Sequence, residues 1–171
     1  MNVIHELHQF EDGLRPVQPS PAHAWNGSNW LLDAASSAMQ EKQESERLCV
    51  KVDTAADSAR KAIVGDPLRA LEYAQATTDA QAFKDENYPK HAVPQTVSAG
   101  VIKGRSAKQA ADRILLKAAR CDESLLTLRT LRLKAKEQIR SYTTKGKTAL
   151  AREAADEVII AIRKVVSDYS D

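Results

Sequence analysis

One apolar stripe constrains this sequence more than any other feature. Ile114, Ala118, Cys121, Leu125, Leu128, Leu131, Ala135, Ile139 and Tyr142 recur every three or four residues. That spacing places all of them on one side of a single α-helix, over about eight turns. Just upstream, Ser106 is an N-cap residue type, and Gln109 three positions on completes a capping box. No Pro or Gly interrupts the run before the turn Lys145-Gly146-Lys147. A helix from Ser106 to Thr143 would be on the order of 55 Å long. A compact domain of this size is narrower than that. The two ends of the helix therefore need different partners, or one end protrudes.

The neighbouring segments supply further helices. Thr148 is expected to cap a last helix running to about Asp168. Its stripe is Ala151, Ala155, Ile159, Ile162, Val166 and Tyr169, with a second row of Leu150, Ala154, Val158, Ala161 and Val165 beside it. An apolar face that wide is buried on two sides, and folding back on the long helix as an antiparallel hairpin covers one of them. Upstream, Asp33 is the expected N-cap of a helix reaching Val64. Leu48, Val52, Ala55, Ala59 and Ala62 form its stripe, widened by Cys49 and Val50. Its nearly all-polar stretch from Gln40 to Arg47 is expected to project into solvent. Gly65-Asp66-Pro67 ends that helix and opens another, because Gly suits the left-handed C′ position, Asp an N-cap and Pro the first turn. Leu68, Leu71, Ala74 (or Tyr73) and Ala82 are its expected apolar side, to about Lys84. A loop from Asn87 to Gln95 holds Pro89 and Pro94, and a brief helical turn from Gln95 to Lys103, closed by Gly104, is expected after it.

Residues 1–32 follow other rules. Pro16, Pro19 and Pro21 deny the segment a helix, since each lacks an N–H and restricts its predecessor. Asn26-Gly27 is a strong turn signal, and Trp25 and Trp30 flank it at a spacing that suits a tiny hairpin. The fold class that follows is mainly α: an elongated helical protein with a long C-terminal antiparallel helical hairpin and a short non-helical N-terminal arm. Three regions are expected: the arm at 1–32, a helical region at 33–104 and the C-terminal hairpin at 105–171.

Composition bounds the function. Aromatic residues make up 5% of the chain, so the core must be built from Leu, Ile, Val and Ala, which suits closely packed helices. Formal net charge is +2 and steers no particular partner. The distribution is uneven, with fourteen Lys/Arg against four Asp/Glu between Lys103 and Arg152, leaving the rest net acidic. Cys49 and Cys121 both fall on apolar stripes and belong to no CxxC or Cys/His cluster, so two buried, reduced thiols of a cytosolic protein are expected. No run reaches the roughly 18 apolar residues of a membrane span. Met1 to Phe10 lacks a cationic n-region followed by an apolar h-region, so no secretory signal is expected.

No catalytic set stands out. GxSxG, HExxH, P-loop and GxGxxG patterns are absent, and the six glycines occur singly. His5-x-x-His8 would need further ligands from elsewhere to hold a metal, and His23 and His91 sit in proline-rich loops. Asp85-Glu86 reads as a helix end. No enzymatic activity, cofactor or metal site is expected. Arg129, Arg132, Lys136 and Arg140 share a helix face, which raises nucleic acid as a partner. No aromatic residues interleave for base stacking, however, and no DNA-binding motif accompanies them. A stripe that docks an acidic protein surface, or the acidic first half of this same chain, fits better. Trp25 and Trp30 are the other candidates for partner contact, since Trp is enriched at interface hot spots. The alternative is that they staple the arm onto the helices.

These residues also carry a resemblance. The segment from Pro19 to Asp33 contains Pro19-Ser20-Pro21 and then Trp25-Asn26-Gly27-Ser28-Asn29-Trp30-Leu31-Leu32-Asp33. It resembles a "P-x-P … W-[ND]-G-x-x-W-x-x-D" phrase near the start of small proteins from phage tail-fibre regions. Tyr88-Pro89, Val93 to Val97, Ala107 to Leu115 and Leu128 to Lys136 resemble a helical module of the same setting; with the Pro19 to Asp33 segment these stretches make up 40 of the 171 residues. The resemblance implies a tail-fibre assembly chaperone of a phage or R-type pyocin. Such a protein binds the new fibre polypeptide through the fibre's C-terminal region and helps it trimerise in the bacterial host cytoplasm. A structural component of the virion tail is the alternative it leaves open, and a nucleic-acid-binding helical protein is a second. The resemblance brings no catalytic residues with it.

Overall fold

The computed structural model describes residues 7–11, 13–21 and 23–170. Its elements are β1 (Leu7–Phe10), β2 (Gly13–Pro16), β3 (His23–Trp25), β4 (Trp30–Leu32), α1 (Ala34–Val64), α2 (Pro67–Asp85), α3 (Gln95–Ser98), α4 (Ala107–Thr144) and α5 (Thr148–Ser170). The protein is mainly α, with short hairpins confined to the N-terminal region.

The helix ends follow the chemistry read from the sequence. Ser106 Oγ accepts from the Gln109 N–H, and the Gln109 side chain accepts from the Ser106 N–H, completing the capping box of α4. Asp33 accepts from the Ser36 N–H at 2.7 Å, and hydrogen bonding from the Ser36 side chain, then from its N–H, holds the carboxyl below the usual range. Gly65 takes φ +70 at the end of α1, where a Cβ would be strained. Thr148 lies inside α5 rather than capping it; the Lys147 carbonyl accepts the first bond, from Ala151.

α1, α4 and α5 form a three-helix bundle. α4 and α5 are antiparallel through the turn at Gly146, and α1 runs alongside α5 and against α4. Leu48, Val52 and Ala56 of α1, Leu128, Ala135 and Ile139 of α4, and Ala155, Ile159 and Ile162 of α5 fill its core. The wide apolar face of α5 is thus covered by α4 on one side and α1 on the other. The alanines let the backbones approach closely, as the low aromatic content required.

α4 is too long for that core alone. Its first turns carry a second, smaller one: Ala110 and Ala111 pack with Phe83 and Ala80 of α2 and Val97 of α3. The two ends of the 38-residue α4 therefore have different partners. The linking loop contains consecutive left-handed residues, Asn87 and Tyr88, both at φ 60. Tyr88 is held there by its ring against Phe83 (5.4 Å, nearly perpendicular) and by its hydroxyl, which donates to Asp112 at 2.6 Å. That bond pushes the Tyr88 pKa up to about 12.

Several expectations need correction. The buried line of α1 is Leu48, Cys49, Val52, Ala56, Ala59 and Ile63, while Val50 and Ala62 are exposed. The expected 3.5-residue spacing drifts off a straight helix by about 20° per heptad, so the contact line moves to Ala56 and Ile63. Leu68, Leu71, Ala74 and Ala82 of α2 are all exposed, because α4 meets the opposite side of that helix. The helical turn expected over 95–103 stops at Ser98, and a bridge between Ile102 and Arg105 closes a tight turn around Gly104 instead. The polar stretch 40–47 is not wholly solvated. Glu41 and Ser45 are half-buried beside Thr143 and Thr144 of α4, and Glu44 accepts from Arg152 of α5 at 2.6 Å.

Candidate protein-interaction site

The arm is built from two hairpins. β1 pairs with β2, Phe10 opposite Gly13, and β3 pairs with β4, Trp25 opposite Trp30. The second turn works as its sequence suggests. Asn26 Oδ1 accepts from the N–H groups of Ser28 and Asn29 at 3.0 and 2.8 Å, and Gly27 supplies φ +98. The expected tiny hairpin is present, and a second one precedes it.

The tryptophans have a definite place. Their rings stand edge-on to one another at 5.3 Å, and Phe10 of β1 sits 5.6 Å from Trp30. The Arg15 guanidinium of β2 lies 4.9 Å from the Phe10 ring, 5.4 Å from Trp25 and 5.8 Å from Trp30. The Trp30 indole N–H donates to the Pro16 carbonyl at 2.7 Å. The four side chains thus clamp hairpin to hairpin. A staple onto the helices is not what they form: no strand makes more than marginal contact with any helix.

Around the clamp, Leu7, Leu14, Val17, Leu31 and Leu32 are exposed. Each sheet has only two strands, so among the described residues its outer edges have no strand paired to them. Leaving that much apolar side chain in water on so small a unit is unusual without a partner. Phe10 and Arg15 escaped the sequence reading. The signal for them was Asp12-Gly13, a hairpin dipeptide between two short apolar-polar runs.

The basic stripe divides. Lys136 Nζ donates to Asp53 Oδ2 at 2.5 Å and Arg132 Nη1 to Asp53 Oδ1 at 3.3 Å, joining α4 to α1. Arg132 Nε is buried without a hydrogen-bond partner. These two cations dock the acidic first half of the same chain. Arg129 and Arg140 are exposed; Arg140 borders an open groove with Glu41, Lys42 and Ser45. The arm and the stripe are not brought together into one site.

Cys49 is buried and Cys121 half-buried, both free thiols, and burial pushes the Cys49 thiol up, away from the reactive thiolate. His5 lies outside the described residues; His8 is exposed on β1 opposite Arg15. Among the described residues no group of three His, Cys, Asp or Glu converges on a point, and no helix is long and apolar enough to cross a membrane. No family model, no characterised protein and no solved structure matches this chain.

Proposed function

We propose that this chain binds a newly made phage or pyocin tail-fibre polypeptide in the bacterial cytoplasm and assists its folding and trimerisation, using the N-terminal arm as its contact surface. The observation that carries this reading is the arm's independence. It is a self-clamped pair of hairpins, ringed by exposed leucines and carrying open strand edges, at the end of a helical frame that does not cover it. An incomplete trimer exposes sheet edges and apolar surface that invite aggregation. A hairpin can pair with such an edge through its backbone while Leu31 and Leu32 cover apolar side chains. The resemblance of the Trp25–Asp33 phrase to small tail-fibre-region proteins supplies the partner.

A nucleic-acid role is less well supported, because Arg132 and Lys136 are engaged by Asp53. The test is co-expression of the cognate fibre polypeptide with the full chain and with a Leu31→Ser/Leu32→Ser variant. The full chain is expected to raise the yield of soluble trimeric fibre, and the variant to lose that effect while keeping its helical content. Equal fibre yield with and without the full chain would refute the proposal. Persistence of the chain in purified particles would mark it as a structural component of the tail.

A further inference from the structure

We propose that the outer side of α4 pairs antiparallel with the same side of a second copy, about a two-fold axis at Leu126. Ala119, Glu123, Leu126, Thr130, Leu133 and Glu137 follow one another at four-three-four-three-four spacing and are all exposed. They lie opposite the buried line Leu128, Ala135 and Ile139, so no helix of the bundle covers them. Leu126 is 64% exposed and Leu133 48%. The one hydroxyl between the two leucines is already satisfied, since Thr130 Oγ1 donates to the Leu126 carbonyl at 2.9 Å. Covering this strip would strand no donor there.

The charges identify the occupant. Asp122 and Glu123 lie one turn before Leu126, and Arg129 lies one turn after it. Among the described residues none of these three forms an ion pair within the chain. A two-fold axis through Leu126 brings together positions equally far before and after it. Leu126 then meets Leu126, each Leu133 meets an Ala119 small enough to admit it, and Asp122 and Glu123 of each copy flank Arg129 of the other. Parallel pairing would set Glu123 against Glu123 and Glu137 against Glu137. Sliding the antiparallel register to put Leu126 on Leu133 would set Asp122 opposite Glu137. Like-charge contacts disfavour both alternatives, whereas the Leu126-centred antiparallel register is complementary to itself. In that arrangement the two N-terminal arms, each beyond the C-terminal end of its own α4, stand at opposite ends of the pair.

Sedimentation velocity of the full chain over a concentration series tests this. A monomer–dimer equilibrium is expected, with a dissociation constant on the order of 10 µM, because the strip is smaller than a standard interface of roughly 1,600 Å². Leu126→Glu is expected to remain monomeric throughout. Arg129→Glu is expected to weaken the dimer at least about tenfold, and adding Asp122→Lys and Glu123→Lys to restore it to within about threefold. All the substituted side chains are exposed, so far-UV circular dichroism should be unchanged. A wild-type chain that stays monomeric, a Leu126→Glu chain that dimerises normally, or a triple variant no better than Arg129→Glu would each overturn the proposal.

Discussion

Trp30 donates its indole N–H to the backbone carbonyl of Pro16, 14 residues earlier, across 2.7 Å. That single bond ties the second hairpin to the first. Both tryptophans therefore belong to the arm's own small core, and the arm and the bundle should behave as separate cooperative units.

Trp25→Ala and Trp30→Ala are expected to leave the main thermal transition of the bundle within about 2 °C of wild type, since roughly 1 kcal/mol at this chain length moves it 2–4 °C. The arm should respond strongly. Fluorescence of the remaining tryptophan should shift to that of a solvated indole, and the near-ultraviolet dichroism of the ring pair should vanish. A fall in the main transition of 5 °C or more would place the tryptophans against the helices after all.

The two cores along α4 should respond differently to truncation. Leu128 is fully buried in the bundle, and Leu128→Ala is expected to cost about 3 kcal/mol in chemical denaturation. Phe83→Ala should cost a similar amount, about 3 kcal/mol, but locally. Hydrogen exchange should then accelerate in α2, α3 and the first turns of α4, while the amides around Leu128 and Ile139 stay protected. Leu68→Ala and Leu71→Ala, on the exposed side of α2, should change stability by less than about 0.5 kcal/mol. Global exchange on Phe83→Ala would mean the two cores unfold as one.

Glu44 carries an acid-sensitive contact. Hydrogen bonds from Arg47 and Arg152, and their charges, lower its pKa from 4.5 to about 2. A carboxyl held below its unfolded value contributes stability above that value and loses it as pH falls through the folded one. The contribution is therefore present above about pH 5 and gone by about pH 2. Both arginine partners are largely exposed, so it amounts to at most about 1 kcal/mol. Unfolding of wild type and Glu44→Gln, measured from pH 7 downward, should differ at neutral pH and converge near pH 2. A gap that persists at pH 2 would exclude the titration of Glu44 as its cause.

Legibility varied by element. α4 was readable from end to end because its stripe, capping box and terminal glycine agree. α5 was readable because two apolar rows leave little choice of face. α2 misled. Its strongest apolar residues, Leu68 and Leu71, point to solvent, while the helix is anchored by Phe83 and Ala80. A single sequence records which residues are apolar but not which side of a short helix a neighbour will reach. In the arm, the Asn26-Gly27 hairpin was legible, and its clamp by Phe10 and Arg15 was not.

The sequence by itself determined where the four long helices begin and end to within a few residues, their period, and the hairpin at Asn26-Gly27. Each of these depends on contacts within four or five residues: a cap, a turn dipeptide, a side chain one turn away. Only the tertiary structure decided that Asp53 holds Lys136 from 83 residues away. It alone decided that α2 serves the far end of α4, and that the tryptophans close on Arg15 rather than on the bundle. Such pairings depend on which helices meet and at what rotation. Their free energy is shared among many weak contacts distant in the chain, so no local pattern encodes any one of them.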